Sequence, residues 1–144
     1  MFQLARTLPL ALLVAGCVVY DEDHHHVPPP SPAVNHAPVV LDAAAGVFWD
    51  EWAHDDIWYF DAEVDDPDSP YDVVQVWADV YDDWSGELVD SFELFPTDDP
   101  FVWYAEYYGH DTWLDPFYPH YSVDLVAYDS WDAYDFITVP AYTY

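Results

Sequence analysis

The chain has 144 residues and carries 29 aspartates and glutamates against a single Lys or Arg, so its formal net charge is −28 at pH 7. Nucleic-acid binding depends on Lys and Arg to neutralise phosphates, and adhesion to anionic lipid headgroups depends on a basic patch, so this composition excludes both. Hydrophobic residues make up 53% of the chain and aromatic residues 20%, which excludes a wholly disordered chain and predicts a packed core.

The first 16 residues, MFQLARTLPLALLVAG, have the layout of a secretory signal peptide. Arg6 stands near the start, an apolar stretch follows from Leu8 to Ala15, and small residues precede Cys17. The apolar run is too short to span a bilayer, since a transmembrane helix needs about 20 apolar residues. We therefore predict that residues 1–16 are a signal peptide that is removed on export.

The residues that close this signal, Val14-Ala15-Gly16-Cys17, resemble the lipobox of bacterial lipoproteins. The resemblance implies a diacylglycerol on the thiol of Cys17, cleavage before it and acylation of the new amine, which would anchor the chain to a membrane of the cell envelope. Val18 stands where lipoproteins retained in the inner membrane often carry aspartate, so the resemblance favours the outer membrane. The alternative is an ordinary secretory signal with a coincidental cysteine. Cys17 is the only cysteine, so no internal disulfide can form.

Residues 17–37 are rich in proline, acid and histidine and show no apolar periodicity. This composition is typical of an extended, disordered tether between an anchor and a folded domain. The triple histidine His24–His26 lies in the segment, and imidazole is a common ligand of transition metals. A solvated linker is the preferred interpretation, because no rigid second set of ligands is visible nearby.

From residue 38 to residue 144, Pro, Gly, Asp and Ser punctuate short apolar runs rich in Val, Ile, Tyr, Trp and Phe. Such spacing predicts an all-β sandwich or barrel. The predicted strands are 38–42, 57–64, 73–81, 87–94, 101–108, 121–128 and 134–139. Residues 43–54 could hold a turn of helix, and the rest of the chain after the signal peptide lacks convincing helical periodicity.

Alternation of apolar and polar residues in three strands predicts which side chains face the core, because successive side chains of a strand point to opposite sides. The expected inward residues are Trp58, Phe60, Ala62 and Val64 in the second strand, Val74, Val76, Ala78 and Val80 in the third, and Tyr121, Val123, Leu125 and Ala127 in the sixth. Tyr59, Trp77 and Tyr81 are then expected to point outward.

The sixth strand has the pattern Tyr-x-Val-x-Leu-x-Ala-x-Asp from Tyr121 to Asp129, which resembles the F strand of immunoglobulin-like and fibronectin type III domains. In that strand a tyrosine corner sits two residues before the cysteine position, which Val123 occupies here. The resemblance extends loosely over residues 38–144 and implies an antiparallel β-sandwich of about seven strands. The chain departs from antibody-type domains because it has no inter-sheet cysteines and because Trp77 has the wrong parity for a core tryptophan.

In such a fold, the loops at 65–72 and 129–133 lie at the same end of the sandwich. Together they carry Asp65, Asp66, Asp68, Asp72, Asp129 and Asp132. Calcium takes six to eight oxygen ligands and tolerates irregular geometry, so this cluster is a candidate Ca²⁺ site, although its spacing does not match an EF-hand. The alternative is that these aspartates start turns and keep an acidic surface soluble.

Aromatic residues are too numerous for one small core to enclose, since the chain has 8 Trp, 13 Tyr and 8 Phe. Tyr59, Trp77 and Tyr81 are therefore candidate ligand-binding aromatics, because flat rings beside carboxylates resemble the sugar-stacking faces of carbohydrate-binding modules. The alternative is that they form cross-strand pairs that stabilise the sheet.

Catalytic patterns are weak in this chain. His54 and His110 each have neighbouring aspartates, but no Gly-x-Ser-x-Gly elbow and no His-Glu-x-x-His motif accompanies them. We therefore expect a non-enzymatic, lipid-anchored envelope protein with a binding or structural β-sandwich that calcium stabilises, and with an envelope glycan or protein as a further partner. The alternatives are a glycan-binding module and a carboxylate-dependent glycan hydrolase, which would show two facing carboxyls in a concave pocket.

Overall fold

The computed structural model describes residues 34–144, and these residues form seven β-strands joined by turns and one 3-10 turn at Gly109–Asp111. The strands are β1 Val39–Asp50, β2 Asp55–Asp65, β3 Val73–Asp82, β4 Leu88–Pro96, β5 Val102–Tyr108, β6 Tyr121–Asp129 and β7 Tyr134–Tyr142. The prediction of an all-β fold with seven strands is confirmed, and each strand overlaps its predicted range.

The signal peptide (1–16), Cys17 and the triple histidine lie outside the described residues, as does the tether up to residue 33. Among the residues that are described, none forms a helix long and apolar enough to cross a membrane.

β1 is longer than predicted, and the possible helical turn at 43–54 is wrong. The strand continues to Asp50 and forms a hairpin with β2, with a turn at residues 51–54. Gly46 of this segment is needed for close packing. A Cβ on Gly46 would lie 2.9 Å from the backbone oxygen of Tyr142, so only glycine lets β7 approach β1 this closely.

The strands close in the order β1-β2-β5-β4-β3-β6-β7, which makes a barrel. The strand spacing predicted a sandwich or a barrel, and the immunoglobulin-like resemblance implied the sandwich. Every neighbouring pair is antiparallel except β1 and β7, which run parallel. Closure depends on two short seams of two residue pairs each, β1 with β7 and β4 with β5. Long ladders join the other strands, so the barrel consists of two extended sets of strands, β1-β2-β5 and β4-β3-β6-β7.

The core fills the interior with the side chains that alternation predicted for β2 and β6, and every predicted inward residue of these two strands is buried. In β3 the prediction holds for Val76, Ala78 and Val80 but is wrong for Val74, which is 54% exposed. The register shifts between Val73 and Gln75, so a β-bulge turns Val74 outward and Val73 takes the inward position.

Tyr121 links the start of β6 to the segment before it. Its hydroxyl accepts a 3.1 Å hydrogen bond from the backbone N–H of Asp115, six residues upstream. Its ring packs edge-on against Trp58 with centroids 5.9 Å apart, and Trp58 is fully buried. Fully burying a large apolar side chain contributes about 1.5–3 kcal/mol, so this aromatic contact is a main part of the core.

Candidate metal centre

Two loops meet at one end of the barrel, the β2–β3 loop (66–72) and the β6–β7 loop (130–133). The backbone N–H of Ser130 donates a 3.0 Å hydrogen bond to the carbonyl of Asp72, and the hydroxyl of Ser130 donates to the carboxylate of the same residue. These bonds hold the β2–β3 loop against the start of the β6–β7 loop.

Three carboxylates of the β2–β3 loop converge. Asp66, Asp68 and Asp72 each present an oxygen atom, and these atoms all lie within 4.8 Å of one another. Asp68 is exposed, Asp72 is half-buried and Asp66 is only 3% exposed. Like charges this close repel each other unless a cation lies among them.

Asp66 is the buried member of the cluster, and only one of its two carboxylate oxygens has hydrogen-bond partners. Its Oδ1 accepts hydrogen bonds from the backbone N–H groups of Asp68 at 2.8 Å and Ser69 at 3.4 Å, which is how a short aspartate side chain holds a turn. Its Oδ2 is buried without a hydrogen-bond partner. A buried carboxylate oxygen in this state is costly unless a proton or a cation compensates it.

His36 contacts Asp68 from the segment before β1. Its backbone N–H donates a 2.8 Å hydrogen bond to Asp68 Oδ2, and its ring Nδ1 lies 3.0 Å from Asp68 Oδ1. The backbone bond, followed by the ring contact, lowers the pKa of Asp68 below its ordinary value. The carboxylate therefore stays ionised, as a metal ligand must be.

Asp129 lies beside this cluster but is used differently. It is 1% exposed, and its Oδ1 accepts hydrogen bonds of 2.8 Å from the backbone N–H groups of both Trp131 and Ala133. The side-chain amide of Asn35 donates a 2.6 Å hydrogen bond to its Oδ2. Burial raises the pKa of Asp129, but these hydrogen bonds outweigh burial and leave the pKa below its ordinary value. Both oxygens of Asp129 are thus occupied in holding the β6–β7 loop and the N-terminal segment.

The other two predicted ligands also lie outside the three-carboxylate cluster. Asp65 accepts a hydrogen bond from the backbone N–H of Asp66 at 2.8 Å. Asp132 is exposed and occupies the left-handed region with φ of 63°, where it shapes the β6–β7 loop. The structure therefore brings together three of the six predicted aspartates.

A cleft of about 230 Å³ adjoins the cluster and is lined by Val34, Asn35, Asp68, Asp72 and Trp131. It leaves room for water beside two of the carboxylates. A hard cation bound here would take its protein ligands from the β2–β3 loop and complete its coordination with carbonyl oxygens or water. The sequence assigned Asn35 and His36 to the tether, and no local pattern indicates that they contact residues far along the chain.

The predicted ligand-binding aromatics Tyr59, Trp77 and Tyr81 are all half-buried and do not form one surface. Tyr59 lies on β2, whereas the other two lie on β3, which is separated from β2 by two strands in one direction and three in the other. The ring of Tyr59 packs against Phe48 of the neighbouring strand, with centroids 6.2 Å apart. This contact is a cross-strand pair of the kind that stabilises a sheet.

Two carboxylates line a cleft of about 190 Å³ near the other end of the barrel, Asp50 and Glu106. Asp50 Oδ1 accepts hydrogen bonds from the backbone N–H groups of Trp52 and Ala53, so it holds the β1–β2 turn. Glu106 accepts a 2.6 Å hydrogen bond from the hydroxyl of Tyr104. Each carboxylate thus has a structural partner.

His110 pairs with Asp55 at the same end of the barrel. Its Nε2 also lies 3.6 Å from a carboxylate oxygen of Asp111. Within residues 34–144, no serine hydroxyl hydrogen bonds to this histidine, so the contacts make a carboxylate–histidine pair without a nucleophile.

Comparison with models of protein families, with curated proteins and with solved structures finds no match to this chain. Function is therefore inferred from the chemistry of its side chains.

Proposed function

We propose that this chain is a lipid-anchored protein of the bacterial cell envelope whose non-enzymatic β domain is stabilised by calcium bound at Asp66, Asp68 and Asp72. The anchor would be the lipid on Cys17, in the outer membrane. The domain would then serve as a rigid module held at the membrane surface, for binding or for envelope structure.

One observation carries the calcium proposal, the buried Oδ2 of Asp66 that has no hydrogen-bond partner beside two further carboxylates. Arg6 is the only Lys or Arg in the chain and lies in the predicted signal peptide, so the mature domain has no permanent cationic side chain to compensate this charge. A metal ion supplies the missing charge and a ligand bond to an otherwise unsatisfied oxygen.

Calcium fits this cluster better than magnesium or zinc. All three side chains offer oxygen, which hard cations prefer, whereas zinc sites use mainly nitrogen and sulfur. Magnesium requires a near-ideal octahedron and gives up its water reluctantly, while calcium accepts the irregular geometry of a loop. The extracytoplasmic location also suits a calcium site of modest affinity, as in other extracellular modules.

Thermal unfolding of the full-length chain in detergent tests the site, with calcium, magnesium and sodium chloride compared at matched ionic strength. We expect calcium alone to raise the melting temperature, with about 2.7 kcal/mol of stabilisation at one hundred times the dissociation constant. Equal stabilisation by all three salts would contradict the proposal, since it would mean that the salts only screen the repulsion among carboxylates.

Asp66→Asn gives the sharper comparison because it keeps the Oδ1 acceptor and removes the buried charge. We expect this variant to melt at a higher temperature than the wild type in chelator and to lose the response to calcium. Asp132→Asn is the matched control, since it makes the same charge change at the same end of the barrel, and asparagine tolerates the left-handed conformation there. If Asp66→Asn still responds to calcium, the calcium must bind at a different site.

We further propose that the barrel is an immunoglobulin-like sandwich of two sheets, β1-β2-β5 and β4-β3-β6-β7. Backbone pairing joins these sheets only at the two short seams. The hydroxyl of Tyr121 bonded to the backbone of Asp115 supports the sandwich, because a tyrosine corner makes such a bond to the chain a few residues upstream. We expect backbone amides at the seams, such as Tyr142, to exchange hydrogen faster than those at the centre of β3. Equal protection of the amides at both places would favour a closed barrel whose strand pairs are all equally stable.

The anchor is tested by mass spectrometry of the mature chain purified from membranes. We expect a chain that begins at Cys17 and carries diacylglycerol and an acyl group. Cys17→Ser should leave the protein in the soluble extract, because the proposed anchor needs several acyl chains on this one residue. A mature chain with a free thiol would contradict lipidation.

The domain is proposed to be non-enzymatic because its best-placed carboxylates already have structural partners. Asp50 holds the β1–β2 turn through its Oδ1 and Glu106 accepts from Tyr104 through its Oε1, so one oxygen of each carboxylate has a structural role. Release of reducing ends from a panel of envelope glycans, abolished by Glu106→Gln, would overturn this and establish the hydrolase alternative.

A further inference from the structure

A second cleft lies beside the proposed calcium loop and takes no part in cation binding. It has a volume of about 270 Å³ and opens between the β2–β3 loop and the β4–β5 loop (97–101). We call it the proline groove, because its lining includes Pro70, Tyr71, Pro96, Pro100 and Trp103. The volume is smaller than the roughly 300–1,000 Å³ of pockets that enclose whole small molecules, so the groove suits part of an extended ligand.

The rings that line the groove are rigid. Proline has its backbone φ fixed, and Tyr and Trp have only two side-chain torsions each, so little conformational entropy is lost when a ligand packs against them. Tyr71 is 81% exposed and stands free at the edge of the cleft. A large ring held in solvent next to prolines is an apolar surface without a partner in the described part of the chain.

Trp103 lines the groove, but its indole N–H is not open to solvent. Trp103 is 6% exposed, and its indole N–H is buried without an acceptor. The indole N–H of Trp58 is buried without an acceptor in the same way. Trp103 therefore contributes packing surface to the groove and no hydrogen bond that a ligand could reach.

The remaining polar groups of the lining select among such ligands. The hydroxyl of Thr97 already donates to the carbonyl of Asp99 and accepts from its N–H. Among residues 34–144, neither the exposed carboxylate of Asp98 nor the hydroxyl of Tyr71 has a hydrogen-bond partner, so the lining offers a ligand only these two polar side-chain groups. A sugar brings several hydroxyls that each need partners, whereas the prolines of a proline-rich peptide have no N–H that needs an acceptor.

Charge complementarity further narrows the range of ligands that the groove could bind. Asp98 lies in the lining, and Asp68 and Asp72 lie in the same loop as Tyr71, within a chain of net charge −28. A basic partner is steered toward such a surface, and an acidic one is repelled.

We propose that the proline groove binds a proline-containing, basic segment of another envelope protein in the polyproline II conformation. The proline rings of the segment pack against Tyr71 and the prolines of the groove. A lysine or arginine beside the prolines pairs with the exposed carboxylate of Asp98. Grooves lined by aromatic residues recognise proline-rich segments by the same chemistry elsewhere.

The test is an NMR titration of the ¹⁵N-labelled full-length chain in detergent. The probe is a capped peptide of consecutive prolines with one lysine at each end, and the comparison peptide replaces the prolines by alternating glycine and serine. Trp103→Phe identifies the indole resonance of Trp103 by its loss. Because Trp103 lines the groove, we expect the proline peptide to shift this resonance in a saturable manner and the comparison peptide to leave it in place.

Variants separate the groove from the rest of the surface. Tyr71→Ala changes an exposed side chain, so it should leave the fold intact and weaken the peptide about tenfold, as expected for one well-placed contact. Tyr142→Ala, an exposed tyrosine on β7, is the matched control and should bind like the wild type.

Three outcomes would overturn the proposal. They are an unmoved Trp103 resonance, equal shifts with both peptides, and a shift produced only by oligosaccharides of N-acetylglucosamine. The last outcome would make the groove a sugar site. Because none of these readouts requires calcium, the groove can fail while the calcium site stands, and the reverse also holds.

Discussion

The side-chain amide of Asn35 donates a 2.6 Å hydrogen bond to Asp129 Oδ2, joining residues 94 positions apart in the chain. Asp129 is buried, and its other oxygen already holds the β6–β7 loop. The bond therefore fastens the segment before β1 to the end of β6, at the end of the barrel that carries the three-carboxylate cluster.

Asn35→Ala should destabilise the domain, because it leaves a buried carboxylate oxygen without its donor. Removing one partner of a buried polar group is more costly than the bond itself is stabilising, and we expect the melting temperature to fall by about 5 °C. Val34→Ala, an exposed neighbour, should stay within about a degree of the wild type. Equal melting temperatures for wild type and Asn35→Ala, measured by circular dichroism, would show that water replaces the amide.

Alternation along β2 and β6 was sufficient to identify their buried faces, because the register shifts in their ladders fall on the partner strands β1 and β3. It failed at Val74, since a bulge changes the parity of a strand and no residue type at that position indicates one. β1 was misjudged for a different reason. Its extension beyond residue 42 depends on pairing with β2 and β7, and the glycine at position 46 is required by the approach of β7, which only the tertiary structure reveals.

Part of the candidate site was also predictable. The aspartates of the β2–β3 loop are close in sequence, so their convergence needs only a tight turn. Asn35 and His36 could not be assigned to the site, because their contacts cross the whole chain and a polar residue before a strand resembles any linker residue. The proline groove is built from two loops that meet only after folding, and neither loop carries a motif of its own.

Tyr121→Phe tests the tyrosine corner. The substitution keeps the ring packed on Trp58 and removes the oxygen that accepts from the backbone N–H of Asp115, so we expect the free energy of unfolding to fall by about 1 kcal/mol. Urea denaturation measures the loss. Tyr134→Phe removes a hydroxyl from an exposed tyrosine and should change the free energy of unfolding by less than about 0.5 kcal/mol. Losses of the same size in both variants would mean that the corner bond adds nothing.

The pair of His110 and Asp55 predicts a pH dependence of stability. The hydrogen bond from the histidine ring raises the pKa of His110 above its ordinary 6.5 and lowers the pKa of Asp55 below its ordinary 3.8. A raised histidine pKa stabilises the fold below the unfolded value, and this is lost as pH rises through the folded value. The lowered aspartate pKa stabilises the fold above the unfolded value and is lost as pH falls through the folded one.

The contribution of the pair is therefore largest between these limits, in mildly acidic solution. We expect His110→Gln to lower the melting temperature there and to converge with the wild type as pH rises past the folded pKa of His110. The shift should be only a few degrees because the histidine is exposed and solvent screens the pair. His54→Asn is the control, since it removes another exposed histidine at a position of positive φ that asparagine tolerates. Parallel pH curves for wild type and His110→Gln would contradict the assignment.

The β2–β3 loop belongs to both proposed sites, because Pro70 and Tyr71 of the proline groove lie between Asp68 and Asp72 of the calcium cluster. Calcium that fixes these carboxylates also fixes the ring of the groove that is most exposed. A ligand that needs the same loop conformation then loses less entropy on binding, and the two affinities become coupled.

We therefore expect calcium to tighten binding of the proline–lysine peptide about fivefold, near the lower end of typical couplings between sites. Isothermal titration calorimetry of the full-length chain in calcium and in chelator measures the ratio, and the peptide should raise calcium affinity by the same factor because linkage is reciprocal. Asp66→Asn should bind the peptide equally in both conditions. Identical peptide affinities for the wild type with and without calcium would mean that the loop is already rigid, with both sites present but independent.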